Sequence, residues 1–201
     1  IKKLIPRVEA LKIGPYTSGE DVDFGPVITA ASKANIENLV QTGIDQGASL
    51  VVDGRGFKLQ GYEDGFFVGA HLFDNVTTDM DIYKKEIFGP VLSTVRAKTY
   101  EEAIQMAIDH EYGNGTSIFT RDGDTARDFS NRINIGMVGV NVPIPVPLAY
   151  HTFGGWKKSM FGDLNQHGPD AFKFFTRTKT ITSRWPSGIK EGGEFSIPVM
   201  E

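Results

Sequence analysis

No cysteine occurs among the 201 residues. That absence excludes disulfides, thiolate metal ligation and a cysteine nucleophile within them. Long apolar runs are missing too: none approaches the roughly 20 apolar residues that a membrane-spanning helix needs. Positive charge is not in excess, since 21 Lys and Arg stand against 25 Asp and Glu, for a formal net charge of −4. A general nucleic-acid surface would be basic, so neither nucleic acid nor membrane is an expected partner. Self-contained catalytic signatures are lacking as well: there is no G-x-S-x-G elbow, no H-E-x-x-H and no P-loop. His71, His110, His151 and His167 show no metal-ligand spacing. Two stretches, 21–25 and 120–125, have the acidic start of a calcium loop but not its later bidentate glutamate. Both read as turns, and no metal is expected.

What remains is ordinary for a globular chain, with 40% apolar and 23% charged residues. The length is enough to bury a core. The chain opens with Ile1 rather than methionine, and residues 2–10 read as the end of a helix with Leu4, Ile5 and Val8 on one side. A processed or excised piece is therefore expected, with any targeting segment outside it.

Hydrophobic periodicity alternates along the chain. Thr29 is a plausible N-cap for a helix over 30–46, where Ile36, Leu39, Val40 and Ile44 recur at helical spacing and Gly47 stops the run. Strands are expected at 50–52, 66–73, 90–95, 117–119 and 137–140, and helices at 100–110 and 125–133. Such alternation predicts a parallel α/β sheet, whose ligands sit beyond the carboxyl ends of the strands. Asn141 lies at such an end. Pro143, Pro145 and Pro147 fix the backbone of the loop that follows. Beyond Gly168 a short helix (169–175), a strand (176–185) and a surface tail are expected. Gly136-Met137-Val138-Gly139 lacks the third glycine of a dinucleotide fingerprint and precedes a strand rather than following one.

The stretch from Glu86 to Ser93, EIFGPVLS, combines a carboxylate, an aromatic and a rigid Gly-Pro. Gly89-Pro90 gives a sharp entry to the next strand, holding Glu86 and Phe88 at a rim. Two readings stay open on local physics. One is a solvated glutamate with a core phenylalanine; the other is a carboxylate for vicinal ribose hydroxyls with an aromatic for the adjoining flat ring.

The run MDIYKKEIFGPVL (80–92) resembles the signature that precedes a strand in the catalytic domain of aldehyde dehydrogenases. YGNGTSIFTRDGDTARDFSNRINIGMVGVNVP (112–143) and FGGWKKSMFGD (153–163) follow in that family's order and spacing. The resemblance covers effectively the whole chain, from a point after the family's nucleophilic cysteine. It implies a parallel-sheet α/β catalytic domain of the aldehyde dehydrogenase type, with a C-terminal oligomerisation strand. Residues 1–158 would end the catalytic domain, and 159–201 would carry that strand and a tail. Glu86 would bind the nicotinamide ribose of NAD, with Phe88 near the nicotinamide. Phe153, Asn141 and Pro143 would frame the substrate pocket. None of the catalytic residues would lie here, because the cysteine and the Rossmann half are upstream.

The proline-rich stretch 142–168 and the ending TRTKTITSRWPSGIKEGGEFSIPVM (176–200) are similar to the CoA-acylating branch of that family. This branch oxidises methylmalonate or malonate semialdehyde with NAD. Coenzyme A then takes the acyl group, with loss of carbon dioxide, to give propionyl- or acetyl-CoA. The implied partners are the semialdehyde, the N-terminal NAD-binding part and further copies in a dimer or tetramer. The implied location is bacterial cytoplasm, or the mitochondrial matrix in a eukaryote. The fragment alone would be inactive. A non-acylating aldehyde dehydrogenase and a stand-alone oligomerisation or binding module are the competing readings.

Overall fold

The computed structural model describes residues 1–19 and 21–185, so most of the expected tail lies outside the described residues. The chain starts with the short helix α1 (Ile5–Glu9) and a loop that reaches Thr29. The Thr29 hydroxyl accepts a hydrogen bond from the Ser32 N–H at 3.0 Å and opens α2 (Ala30–Asp45). Ile36, Val40 and Gly43 form its buried face. Its end coincides with Gly47, whose φ of 98° suits glycine.

A three-stranded sheet follows, in the order β1 (Ser49–Val52), β2 (His71–Val76), β3 (Val91–Val95). β2 and β3 are parallel, as expected, but β1 and β2 are antiparallel. The sheet is therefore mixed, which corrects the all-parallel expectation. A parallel return needs a long crossover, usually a helix, and the chain from Asp53 to Ala70 contains none. The strand expected from Phe66 begins only at His71. Phe67 and Val68 are buried, but the Phe66 carbonyl accepts from the Val27 N–H at 2.9 Å rather than from a neighbouring strand. A one-turn helix, α3 (Asp81–Lys84), precedes β3 and is too short to show a sequence period.

The second half holds α4 (Tyr100–Asp109), β4 (Tyr112–Gly113), β5 (Gly115–Ile118), α5 (Gly123–Arg132), β6 (Met137–Val140) and β7 (Trp156–Lys157). β5 and β6 are parallel with α5 as their crossover, and β4 pairs antiparallel with β7. Side chains cap both helices: Thr99 accepts from the Glu102 N–H, and Asp122 from the Thr125 N–H. Arg132 joins the two by pairing with Glu101 of α4 and Asp128 of α5.

Two hydrophobic clusters organise these parts. One gathers Ile36 and Val40 of α2, Phe73 and Val76 of β2, and Ile82 of α3. The other gathers Ile104 of α4, Phe129 of α5, Ile133 and Ile135. Burying a side chain such as Phe73 contributes about 1.5–3 kcal/mol. Between β2 and β3, Asp74 accepts two hydrogen bonds from the Arg96 guanidinium and one from the Thr94 hydroxyl. The Arg96 contact holds the Asp74 carboxyl down at about 2.

The chain then forms a 3₁₀ turn (Gly168–Asp170) and α6 (Ala171–Phe175). Over 176–185 no ladder forms with the described residues, and every one of these side chains is exposed. The strand expected there has no sheet edge to join within them. No helix among the described residues is long and apolar enough to cross a membrane.

Candidate functional site

The rim at 85–90 is made by the exit from α3 and the entry to β3. Lys85 turns extended (φ −94°, ψ 137°) and stops the helix. The Gly89 N–H donates to the Ile87 carbonyl at 2.8 Å, and the Val91 N–H to the Gly89 carbonyl at 2.8 Å, so two tight turns follow one another, centred on Phe88 and on Pro90. The Pro90 carbonyl accepts from the His71 N–H at 2.9 Å and docks the rim on β2. Gly89 is pressed on α2: a Cβ there would lie 2.4 Å from Ile36 Cδ1. Ile87 packs against the first core cluster. In extended chain the residues on either side of an inward side chain point outward, and that is how Glu86 and Phe88 become exposed.

Phe88 is 82% exposed. It borders a cavity of about 750 Å³ whose wall is largely apolar, including Phe24, Pro26, Ile28, Ile36 and Val68. Glu86 borders a separate cavity of about 490 Å³, with Tyr83, His110, Tyr112, Asn114 and Ser159. The two candidate cofactor residues thus share one rim but face different hollows. Glu86 makes no hydrogen bond or ion pair with the described residues, so its acceptor sites are unspent.

His110 is oriented on both sides. Its Nδ1 accepts from the Tyr112 N–H at 3.1 Å, and its Nε2 lies 3.3 Å from the Tyr83 carbonyl. Both bonds are made by the neutral tautomer with hydrogen on Nε2. The Tyr83 and Tyr112 rings lie against the imidazole, with centroids 5.1 and 5.9 Å away. Burial, with Asp109 nearby, raises the Tyr83 hydroxyl above its ordinary pKa.

The other three predicted residues are placed differently. Asn141 ends β6 in the left-handed region, at φ 58°. Its Oδ1 accepts from the Thr120 N–H at 2.9 Å and its Nδ2 donates to the Thr120 carbonyl at 3.0 Å. The side chain therefore extends the β5–β6 pairing by one rung. Pro143 is exposed, and its carbonyl lies 3.4 Å from the Ser117 hydroxyl. Gly139 permits this return of the loop, because a Cβ there would lie 2.7 Å from the Val142 carbonyl oxygen. Phe153 is half-buried and stacks on the His167 ring at 4.6 Å and 8°.

Residues that the sequence did not single out hold this region together. Lys157, at φ 54°, sends its ammonium to the carbonyls of Ala107 (3.1 Å), Ile108 (2.7 Å) and His110 (2.9 Å). It closes the C-terminal end of α4, where a cation is favourable. Lys158 pairs with Glu111, lowering that carboxyl's pKa, and the Ser159 hydroxyl accepts from the Gly113 N–H at 3.0 Å. The only local signal was the Lys157-Lys158 pair.

Comparison with known proteins gives this arrangement its context. The chain is 57% identical, over 98% of its length, to the malonate-semialdehyde dehydrogenase of Pseudomonas aeruginosa, and spans 40% of that protein. It is 45% identical to the bovine mitochondrial methylmalonate-semialdehyde/malonate-semialdehyde dehydrogenase [acylating], covering 100% of this chain and 36% of that one. Among solved structures, one from Sinorhizobium meliloti 1021, described as a methylmalonate-semialdehyde dehydrogenase complexed with NAD, superposes with a TM-score of 0.87. The two are 71% identical, with 94% of this chain and 38% of that one covered. A Mycobacterium tuberculosis aldehyde dehydrogenase complexed with NAD⁺ gives 0.77 at 33% identity, over 87% of this chain and 35% of that one. The chain thus spans about two fifths of the length of its relatives. The model of the aldehyde dehydrogenase family matches residues 1–181, taking in the Glu86 rim, the Asn141 rung and the Lys157 cap, and the chain belongs to that family.

Proposed function

We propose that this chain is the C-terminal part of an NAD-dependent, CoA-acylating semialdehyde dehydrogenase. The whole enzyme would convert methylmalonate or malonate semialdehyde to propionyl- or acetyl-CoA, with loss of carbon dioxide. The observation that carries the reading is the rim: an unpartnered carboxylate and an exposed aromatic flank a half-buried Ile87 and are held by Gly89 against α2. These residues fit a nicotinamide nucleotide. Glu86 has free acceptor sites for vicinal hydroxyls, and Phe88 offers a ring to a flat heterocycle. NAD, when bound, supplies the hydride acceptor. The contribution of this chain is to orient, since a fixed ribose sets the position of the reacting ring. Asn141 acts by setting the start of the loop that carries Pro143, while Phe153 follows that loop in the chain and stacks on His167.

The N-terminal part of the same enzyme would supply the nucleophile, and residues 159–201 would serve assembly of a homo-oligomer. Acylating relatives and the matching 142–168 stretch favour coenzyme A over water as acyl acceptor. The bacterial relatives favour the cytoplasm as location, and the matrix applies to a eukaryotic source.

The test uses the full-length enzyme. With semialdehyde and NAD, added CoA should yield acyl-CoA as the product; free acid with and without CoA would overturn the acylating assignment. Glu86→Gln keeps the side chain's size and removes charge-assisted acceptance, so NAD affinity or the rate of NADH formation should fall about tenfold or more. The melting temperature should hold. Unchanged NAD binding and NADH formation would remove Glu86 from the cofactor site.

A further inference from the structure

His71 opens β2 with its imidazole fully buried, and among the described residues neither ring nitrogen has a hydrogen-bond partner. A neutral imidazole carries one donor and one acceptor. One of each is therefore unmet in either tautomer, which is rare for buried polar groups. The site is closed by backbone. The turn after β1 crosses the approach to β2 with Gly54 against Gly69. The Gly69 N–H donates to the Gly54 carbonyl at 3.2 Å, and a Cβ on Gly54 would lie 2.3 Å from the Gly69 carbonyl carbon. Glycine meets glycine there, so no side chain can swing aside to admit water.

Two charged groups act on the imidazole, both from that turn. Asp53 Oδ1 lies 3.9 Å from Nε2, beyond hydrogen-bond reach, and Arg55 holds the same carboxylate at 2.6 Å. Helix α2 enters this charge set only through Arg55, which donates to the Gln41 amide oxygen at 2.7 Å and feels the Glu37 carboxylate. Elsewhere the neighbours are uncharged: β1 pairs Val52 with Leu72, β3 sets Val91 opposite His71, and the rim brings Pro90. Burial drives the His71 pKa below its ordinary 6.5, against the pull of Asp53 and of the Pro90 and Gly69 carbonyls towards the charged form. An exposed His71 therefore takes its proton near pH 6.5, and the enclosed one only at lower pH.

The same residue fastens the rim. Its backbone N–H donates to the Pro90 carbonyl at 2.9 Å, directly after Gly89. With backbone closing the site, the imidazole reaches water only if the start of β2 moves, and that bond goes with it. We propose that His71 is a positioning residue: its neutral, enclosed imidazole locks the rim 86–90 to β2, and proton uptake releases it. The lock rests on the geometry of this chain alone. Its consequence, that acid loosens the hold on NAD, rests on the function proposed above.

The experiment is hydrogen exchange of the full-length enzyme between about pH 5 and about pH 8, where exchange reports local opening. It is read on peptides covering 69–76 and 86–93, each divided by the exchange of the same peptide unfolded. In wild type, opening of both should grow as pH falls below about 6.5. The gain is up to about tenfold per pH unit, until the closed form also takes the proton. His71→Leu, similar in volume and with no proton to gain, should abolish this dependence. Asp53→Asn leaves His71 in place and removes the carboxylate that favours imidazolium, so the onset should stay and the opening should go further. A dependence unchanged in His71→Leu overturns the lock, as does opening at 69–76 without opening at 86–93. If His71→Leu does not fold, Asp53→Asn decides: opening no greater than in wild type overturns the lock. Saturating NAD should suppress the acid-driven opening, because a ligand of the closed form stabilises it. Acid-driven opening that bound NAD leaves untouched keeps the lock and overturns the placing of NAD at the rim.

Discussion

Gly89→Ala isolates the contact that sets the rim. Gly89 has no positive φ, so alanine is allowed by the backbone and the perturbation is steric. The new Cβ would lie 2.4 Å from Ile36 Cδ1 and 2.9 Å from Cγ1. Ile36 is 1% exposed within the first core cluster, so it has little room to yield. Overpacking of this kind costs about 1–3 kcal/mol. Ile36→Val removes Cδ1, the nearest atom, and alone costs about 0.5–1.5 kcal/mol. If Ile36 Cδ1 is the obstacle, the double variant is less destabilised than the sum, by about 1 kcal/mol, since residues in contact do not add. The same pair should act on function, because an outward shift at Gly89 moves Phe88 and Glu86. Gly89→Ala should weaken NAD binding in the full-length enzyme, and Ile36→Val should restore part of the loss. Urea unfolding and NAD titration of the four proteins measure both effects. Strict additivity in both assays would refute the reasoning.

Two further outcomes are expected. Deleting residues 176–201 from the full-length protein should yield smaller species by light scattering. The described part of that segment is exposed and joins no ladder with the other described residues, with Trp185 at 89% exposure, and an unchanged oligomeric mass would show that it does not bridge subunits. Asp74 should contribute to acid stability: its folded pKa, about 2, lies below the ordinary 3.8. The contribution is complete above about pH 4 and is lost as pH falls towards 2. In Asp74→Asn that part of the acid dependence should be missing from the pH profile of unfolding.

What the sequence disclosed were features written locally. The Thr29 cap, the Ile36–Val40 face and Gly47 lie within one helix and its ends, and α2 formed where they placed it. The turn of β2 against β1 depends on what the 53–70 loop fails to contain, and apolar periodicity does not record that. Glu86 and Phe88 stood out because a rigid dipeptide follows them, but their division between two hollows depends on packing against α2. Asn141 could be read as a strand end. Its partner Thr120 is 21 residues away, and nothing local announces that the side chain is spent there. The hollow beside Glu86 joins residues 84 and 85 to 158 through the β4–β7 pairing, a contact of two residues per strand.

Lys157 and Lys158 are neighbours with opposite chemical fates. Lys158 presents an exposed amine beside one carboxylate, whereas the amine of Lys157 is enclosed by three carbonyls at the end of α4. An amine-directed acylating reagent meets the first directly, but it reaches the second only in moments when that helix end opens. The ratio of labelling at the two positions is then a clock for local opening. Ligand binding in the adjoining hollow can be followed as a slowing at Lys157, with no group introduced into the protein.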